Sequence, residues 1–226
     1  MKSGFGKGRV LLAAVAAAIA VSGSAKAADW DVAFGVTATS DYASRGATQT
    51  DGGAAIQPFA ELTVHDLFYL GYWGSNVSYG GVKDWENDLS VGIRPTLGPL
   101  EFDFGYVRYL YTDNTVAAYG ELYGKVSYSP AEPLTLGAAA YVNPDNSDYY
   151  IEGNASYDLP HDFSISGAVG TNSVGGMTST PFNIGIGWAP QEWVSFDARY
   201  HNGPNYSKFL VSATVSTSLK TLGALP

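Results

Sequence analysis

Asp88-Leu89-Ser90-Val91-Gly92-Ile93-Arg94-Pro95-Thr96-Leu97-Gly98-Pro99-Leu100-Glu101-Phe102-Asp103-Phe104-Gly105-Tyr106 reads twice through one code. Leu89, Val91, Ile93, Pro95 and Leu97 take every second position, with Asp88, Ser90, Gly92, Arg94 and Thr96 between them. Beyond Gly98-Pro99 the alternation resumes, with Leu100, Phe102, Phe104 and Tyr106 set against Glu101, Asp103 and Gly105. A period of two puts one face in an apolar medium and the other in a polar one. Two such runs across a two-residue break predict an antiparallel hairpin. Each run is about ten residues, the length of a tilted strand crossing a bilayer, where an ordinary strand has roughly 5–6.

The same alternation recurs along the chain. It predicts strands at 32–39, 56–64, 67–77, 88–97, 100–111, 116–128, 134–142, 149–159, 163–171, 182–188, 194–201 and 209–219. The phase of 67–77 is ambiguous because aromatic residues fall on both sides. Twelve strands with no helical pattern between them give an all-β fold, an antiparallel up-and-down transmembrane β-barrel. The connections after the even strands are brief; those after strands one, three and nine are expected to be long, the asymmetry of outer-membrane barrels.

Residues Met1 to Ala27 have a different character. Lys2, Lys7, Arg9 and Lys26 are basic, no acid is present, Val10 to Val21 is nearly all apolar, and Ala25-Lys26-Ala27 ends the segment with small residues. This predicts a secretory signal peptide over 1–27 and one barrel domain over 28–226. The apolar run is too short for the ~20 residues of a spanning helix.

Of 12 basic and 21 acidic residues, four basic ones lie in the leader, so the mature chain has 8 against 21, a net of −13. Such a balance argues against nucleic acid, which is bound by neutralising phosphates. With 0 cysteines, disulfides and thiolate metal sites are excluded. The 27 glycines, 16 tyrosines and only 15% charged residues, against a typical ~25%, fit a barrel.

The charges identify the solvent. Excluding histidine, the predicted strands hold twelve charged residues, and eleven fall on the phase opposite the apolar one: Glu61, Asp88, Arg94, Glu101, Asp103, Glu121, Lys125, Glu152, Asp158, Asp197 and Arg199. Arg108 is the exception, and a bulge near Val107-Tyr109-Tyr111 would account for it. Lys or Arg on the lipid face at mid-membrane costs roughly 2–4 kcal/mol, a reason for the separation. A soluble β-sandwich would alternate similarly. Against it stand the long strands, the sparse charge, and the outward set expected near strand ends (Trp73, Trp188, Trp193, Tyr106, Tyr109, Tyr111, Tyr128 and Tyr157), which matches interfacial girdles.

The inward charges are the candidate pore lining: Glu61, Asp88, Arg94, Glu101, Asp103, Glu121, Lys125, Glu152, Asp197 and Arg199. Their acidic excess should favour cations in a wet lumen; alternatively they pair across a packed lumen that conducts nothing. Asp41 and Arg45 lie in the first long connection. One reading has them fix that loop, with Gly46 allowing its turn; the other folds the loop inward, so that Arg45 lines a constriction. No zinc, phosphate-loop or calcium motif appears, and His65, His161 and His201 are scattered, so neither a cofactor nor an enzymatic activity is expected.

Particular residues add a resemblance. Ser40-Asp41-Tyr42-Ala43-Ser44-Arg45-Gly46-Ala47-Thr48-Gln49 resembles the SDYxxRGxxQ signature of the TorF family of proteobacterial porins. Phe68-Tyr69-Leu70-Gly71-Tyr72-Trp73-Gly74-Ser75-Asn76-Val77 is similar to that family's FYxGxWxSNV segment. Glu86-Asn87-Asp88, Gly105-Tyr106-Val107-Arg108-Tyr109 and Glu121-Leu122-Tyr123 follow in the family's order, and the likeness weakens after about Asn143. The chain departs from the pattern at Tyr111-Thr112, where Tyr-Pro is usual, and in its non-aromatic end, Leu225-Pro226. The resemblance implies an outer-membrane barrel of a Gram-negative bacterium, exported through the periplasm. Its partners would be outer-membrane lipid, the assembly machinery and small solutes. The expected function is passive diffusion of small hydrophilic solutes; the alternative is a non-conducting structural or surface-binding barrel.

Overall fold

A computed structural model describes residues 29–224; the expected signal peptide lies outside the described residues. Twelve long strands follow one another: β1 Trp30–Thr39, β2 Ala55–Val64, β3 Phe68–Tyr79, β4 Val82–Ile93, β5 Leu100–Tyr111, β6 Tyr119–Ala131, β7 Leu134–Val142, β8 Tyr149–Asp158, β9 Phe163–Val174, β10 Phe182–Gln191, β11 Val194–Gly203 and β12 Tyr206–Ser218. Each pairs antiparallel with its neighbours in sequence, and β1 pairs with β12 from Ala33↔Ser218 to Thr39↔Ser212, so the sheet closes on itself. Closure leaves no unpaired edge, as a sheet surrounded by lipid requires.

The exposed face is apolar. Phe34, Ile56, Phe68, Leu89, Val91, Phe104, Leu122, Ile151, Ile165, Ile184, Ile186, Phe196, Phe209 and Val211 all point outward. A water-soluble protein would bury this set. The phase of β3 is now fixed: Phe68 and Leu70 face out, while Tyr69, Trp73, Ser75 and Val77 are buried inward. Trp188, Trp193, Tyr128 and Tyr157 are exposed as expected of a girdle. Trp73, Tyr109 and Tyr111 are not; they turn into the lumen, where Trp73 meets Tyr42 and the two tyrosines bond acids.

Arg108 needs no bulge. It pairs with Leu89 in an unbroken β4–β5 register and shares the outward face with that exposed leucine. Its position near the strand end lets the long side chain carry its charge towards the interface.

Three connections differ from expectation because strands run further than their apolar phase. The loop expected up to Asn87 is absent: β3 and β4 continue to a two-residue turn, Gly80-Gly81, with φ of 62° and 84°. Two positive φ values make a turn whose twist suits a hairpin. The connection after β9 is also a hairpin, in which Met177–Ser179 folds back on Asn172–Val174 around Gly175-Gly176. The β11–β12 connection shrinks to Pro204-Asn205 between the paired Gly203 and Tyr206.

The opening hairpin is also modified. β4 stops at Ile93, and Thr96–Leu97 forms a separate short pairing with Leu100 and Glu101. Pro95 has no N–H for the ladder, while its carbonyl accepts from Phe102 N at 2.9 Å. The gap aims Arg94 at Glu61.

Candidate functional site

The first connection, residues 40–54, is a long loop fastened to the barrel at several points. Here it is termed loop 1. It leaves β1 at the end of the barrel that carries the connections after odd strands, the loop end, and folds into the lumen. Asp41 is 1% exposed. Its carboxylate accepts from Thr48 Oγ1 at 2.7 Å, Thr50 Oγ1 at 2.8 Å, Tyr206 OH at 2.8 Å and Lys208 Nζ at 3.1 Å. Burial works to raise the carboxyl's pKa, but these donors outweigh it and hold it below the ordinary 3.8. Asp51 fastens the far side of the loop, accepting from Ser78 Oγ at 2.7 Å and from Gly80 N and Gly81 N at 3.1 and 2.7 Å.

Between these anchors Arg45 crosses the lumen. Its Nη1 and Nη2 donate to the two oxygens of Glu121 on β6 at 2.7 and 2.6 Å. The guanidinium carbon sits 5.0 Å from the Tyr141 ring centre on β7 and 4.9 Å from that of Tyr150 on β8. Tyr109 OH on β5 donates to Glu121 Oε2 at 2.9 Å. In a ring of twelve strands, β6 to β8 face β1 and β2, so loop 1 reaches the opposite wall. Arg45 adopts φ 47°, a left-handed conformation costing roughly 1–2 kcal/mol for a residue with a Cβ. The paired, stacked guanidinium offsets that cost. Gly46 follows at φ 76°, and a Cβ there would lie 2.7 Å from Pro181 Cβ and 2.9 Å from Gly203 Cα. The backbone fits this wall only as glycine.

A second charged belt lies nearer the other end of the barrel, the turn end. Arg94 Nη1 and Nη2 donate to Glu61 at 2.6 and 2.7 Å, and Lys125 Nζ donates to Asp103 Oδ2 at 3.0 Å. Arg94 stacks over Tyr69 with its guanidinium carbon 4.0 Å from the ring centre. Tyr69 OH bonds Asp103 Oδ1 at 2.7 Å and also bonds Tyr123 OH. Glycine makes room for these rings: a Cβ on Gly105 would lie 2.5 Å from Tyr123 OH.

The residues expected to line the pore are placed as follows. Glu121 holds Arg45; Glu61, Arg94, Asp103 and Lys125 form the second belt. Arg199 bonds Asp197, Ser166 Oγ and Asn183 Oδ1, each at 2.8 Å. Glu152 accepts from Tyr150 OH at 2.6 Å, and Glu101 from Ser127 Oγ at 3.4 Å. Asp88 Oδ1 is buried without a hydrogen-bond partner, close to the repelling charges of Glu86 and Glu121. The structure thus brings the loop residue Arg45 together with Glu121, and keeps Asp41 apart in the anchor at β12.

Sequence reasoning missed the aromatic wall. Tyr109 stacks on Tyr119 at 4.5 Å, Tyr123 lies 5.5 Å from Tyr141, and Tyr141 6.3 Å from Tyr150. Strand phase places Tyr123 and Tyr141 inward beside Lys125, a signal the girdle reading obscured. It also missed Glu86, 3% exposed and bonded by Tyr111 OH at 2.7 Å, because residue 86 read as loop.

A profile described as a bacterial protein of unknown function, Gcw_chp, matches residues 24–218. The chain belongs to the Gcw_chp family. No curated protein matches this Gcw_chp chain at a significant level. Solved structures do. The KdgM porin superposes with a TM-score of 0.62 at 9% identity, covering 83% of this chain and 99% of that one. The NanC porin superposes at 0.58 and 9% identity, covering 81% and 98%. KdgM has also been solved in complex with disordered oligogalacturonate, at a TM-score of 0.61 and 9% identity. At these identities the likeness is one of fold alone, a closed antiparallel β-barrel.

Proposed function

We propose that this Gcw_chp barrel is an outer-membrane channel of a Gram-negative bacterium, passing small hydrophilic solutes by passive diffusion with a mild preference for cations. The observation that carries the reading is the sorting of the two faces. The outside is apolar, and the inside concentrates carboxylates, cations and tyrosines in two belts with loop 1 between the walls. The porin fold and the TorF-like signature around Arg45 support it. On this reading the loop end faces the exterior and the turn end the periplasm. The belts are constrictions, and the chain is a conduit and not an enzyme.

The inward phase read from the sequence holds eight acids against three bases, and the structure adds Glu86 to the acids and Arg45 and Lys208 to the bases. A ring with that excess draws cations and repels anions. The test is purified protein in planar bilayers under a KCl gradient. Discrete conductance steps with a reversal potential of the cation-selective sign are expected; a silent bilayer with correctly folded protein overturns the reading.

The alternative is a non-conducting barrel that binds a partner through its loops. It is favoured by Met177, 78% exposed at the tip of the β9–β10 hairpin beside the exposed Val174. Deleting the hairpin would then abolish binding while conductance stayed at zero.

A further inference from the structure

We propose that Glu121, Tyr109, Tyr141 and Tyr150 form a guanidinium-binding site, which loop 1 fills with its own Arg45, and that small guanidinium-bearing solutes are the ligands it takes from outside the chain. This deepens the channel reading by naming a solute class, and it depends on that reading only for access.

The cradle has the parts that recognise this one group. A carboxylate aligned to accept two parallel N–H bonds, at 2.7 and 2.6 Å, matches the planar fork of a guanidinium and not the point charge of an ammonium. Two tyrosine rings at 5.0 and 4.9 Å supply the faces on which a delocalised cation stacks. Tyr109 OH holds Glu121 Oε2 in place at 2.9 Å. Glu121 is 3% exposed, so an empty cradle leaves a buried carboxylate without its countercharge, an unfavourable state.

All these contacts are made by the head group of Arg45. The backbone of residue 45 supplies none of them, so nothing in the cradle requires the cation to be tethered. A short flexible tether gives an effective concentration in the millimolar range; loop 1, anchored through Asp41 and Asp51, presents Arg45 at a higher one. A free guanidinium therefore binds weakly while loop 1 is seated, and without competition once Arg45 is removed.

The experiment is calorimetric titration of the folded barrel in detergent micelles with L-arginine and with guanidinium chloride. L-lysine controls for charge without the fork, and urea for the fork without charge. Folding is verified by heat-modifiable gel migration. Arg45→Ala is expected to bind L-arginine at least about tenfold more tightly than wild type, and to ignore lysine and urea. Adding Glu121→Gln should weaken that binding by at least about tenfold, the loss of a charge-assisted pair. If Arg45→Ala misfolds, Arg45→Lys keeps the stem and charge while vacating the fork, and the same comparison applies. Equal binding of arginine and lysine, or no effect of Glu121→Gln, overturns the proposal. Bilayer recordings of the same samples separate the two readings: binding without conductance sinks the channel and leaves the site, and conductance without binding does the reverse.

Discussion

Arg45 and Glu121 are 76 residues apart in the chain and join opposite walls of the barrel through two parallel hydrogen bonds. No strand pairing connects them. The contact therefore belongs to the loop's seating and not to the barrel's own ladder, and the two can be perturbed separately.

A double-mutant cycle on this pair should show strong coupling. Arg45→Ala and Glu121→Ala should each lower resistance to unfolding, and the double variant should lose less than their sum. A coupling of roughly 1–3 kcal/mol is expected for residues in direct contact, since either single change strands a charge. Urea unfolding in vesicles, followed by tryptophan fluorescence, measures it. Strict additivity would mean that the pair makes no contact in the membrane.

Acid should release loop 1 at its Asp41 anchor. Hydrogen bonds from Thr48, Tyr206, Thr50 and Lys208 override burial and keep the folded pKa beneath 3.8. A depressed carboxylate contributes stability above its unfolded pKa and loses it as pH falls through the folded one. Protease cleavage within residues 40–54 should thus stay low at neutral pH and rise below about pH 4. In Asp41→Asn the rise should be gone, with cleavage elevated throughout. A wild-type profile flat to pH 2 contradicts this account.

Asp88→Asn should stabilise the barrel. Asp88 Oδ1 is buried without a donor, beside Glu86 and Glu121. Leaving a buried polar atom unpaired costs about 1–3 kcal/mol, and an amide at this place offers N–H donors to both neighbouring carboxylates. The urea midpoint should move upward; a downward shift would show that Asp88 holds a cation or a water-borne partner.

The second belt should set selectivity. Asp103 is bonded by Lys125 and Tyr69. Asp103→Asn leaves Lys125 uncompensated, so the reversal potential in a KCl gradient should move towards the anion side. Lys125→Gln should move it the other way by a comparable amount. Identical potentials in both variants would place the ion path away from this belt.

Much of this fold was readable because hydrocarbon is an unforgiving solvent. Strands whose outward positions are large and apolar, such as Leu100-Phe102-Phe104 or Phe182-Ile184-Ile186, keep the phase their alternation predicts. The misreadings occur where that solvent stops acting. Residues 78–87 and 172–174 extend the strands at the loop end, where Lys83, Asp84, Glu86, Asn87, Asn172 and Ser173 interrupt the apolar alternation. Trp73, Tyr109 and Tyr111 were assigned by chemistry to the girdle, yet parity with Ser75 and Val107 turns them inward. Strand parity marks which side chains share the lumen but not which of them meet. Pairing Arg45 with Glu121 required the path of a loop, which follows no period.

The seam between β1 and β12 has a consequence for synthesis and engineering. The first strand's free side is covered only by the last, with Thr37 and Thr214 sharing a hydroxyl contact of 2.7 Å across it and Lys220 reaching back to Asp29. A folding chain must therefore keep one raw margin open until its last strand arrives. Because head and tail of the ribbon then lie side by side at one rim, they could be stitched together and the circle reopened at Pro160-His161 without changing a single rung.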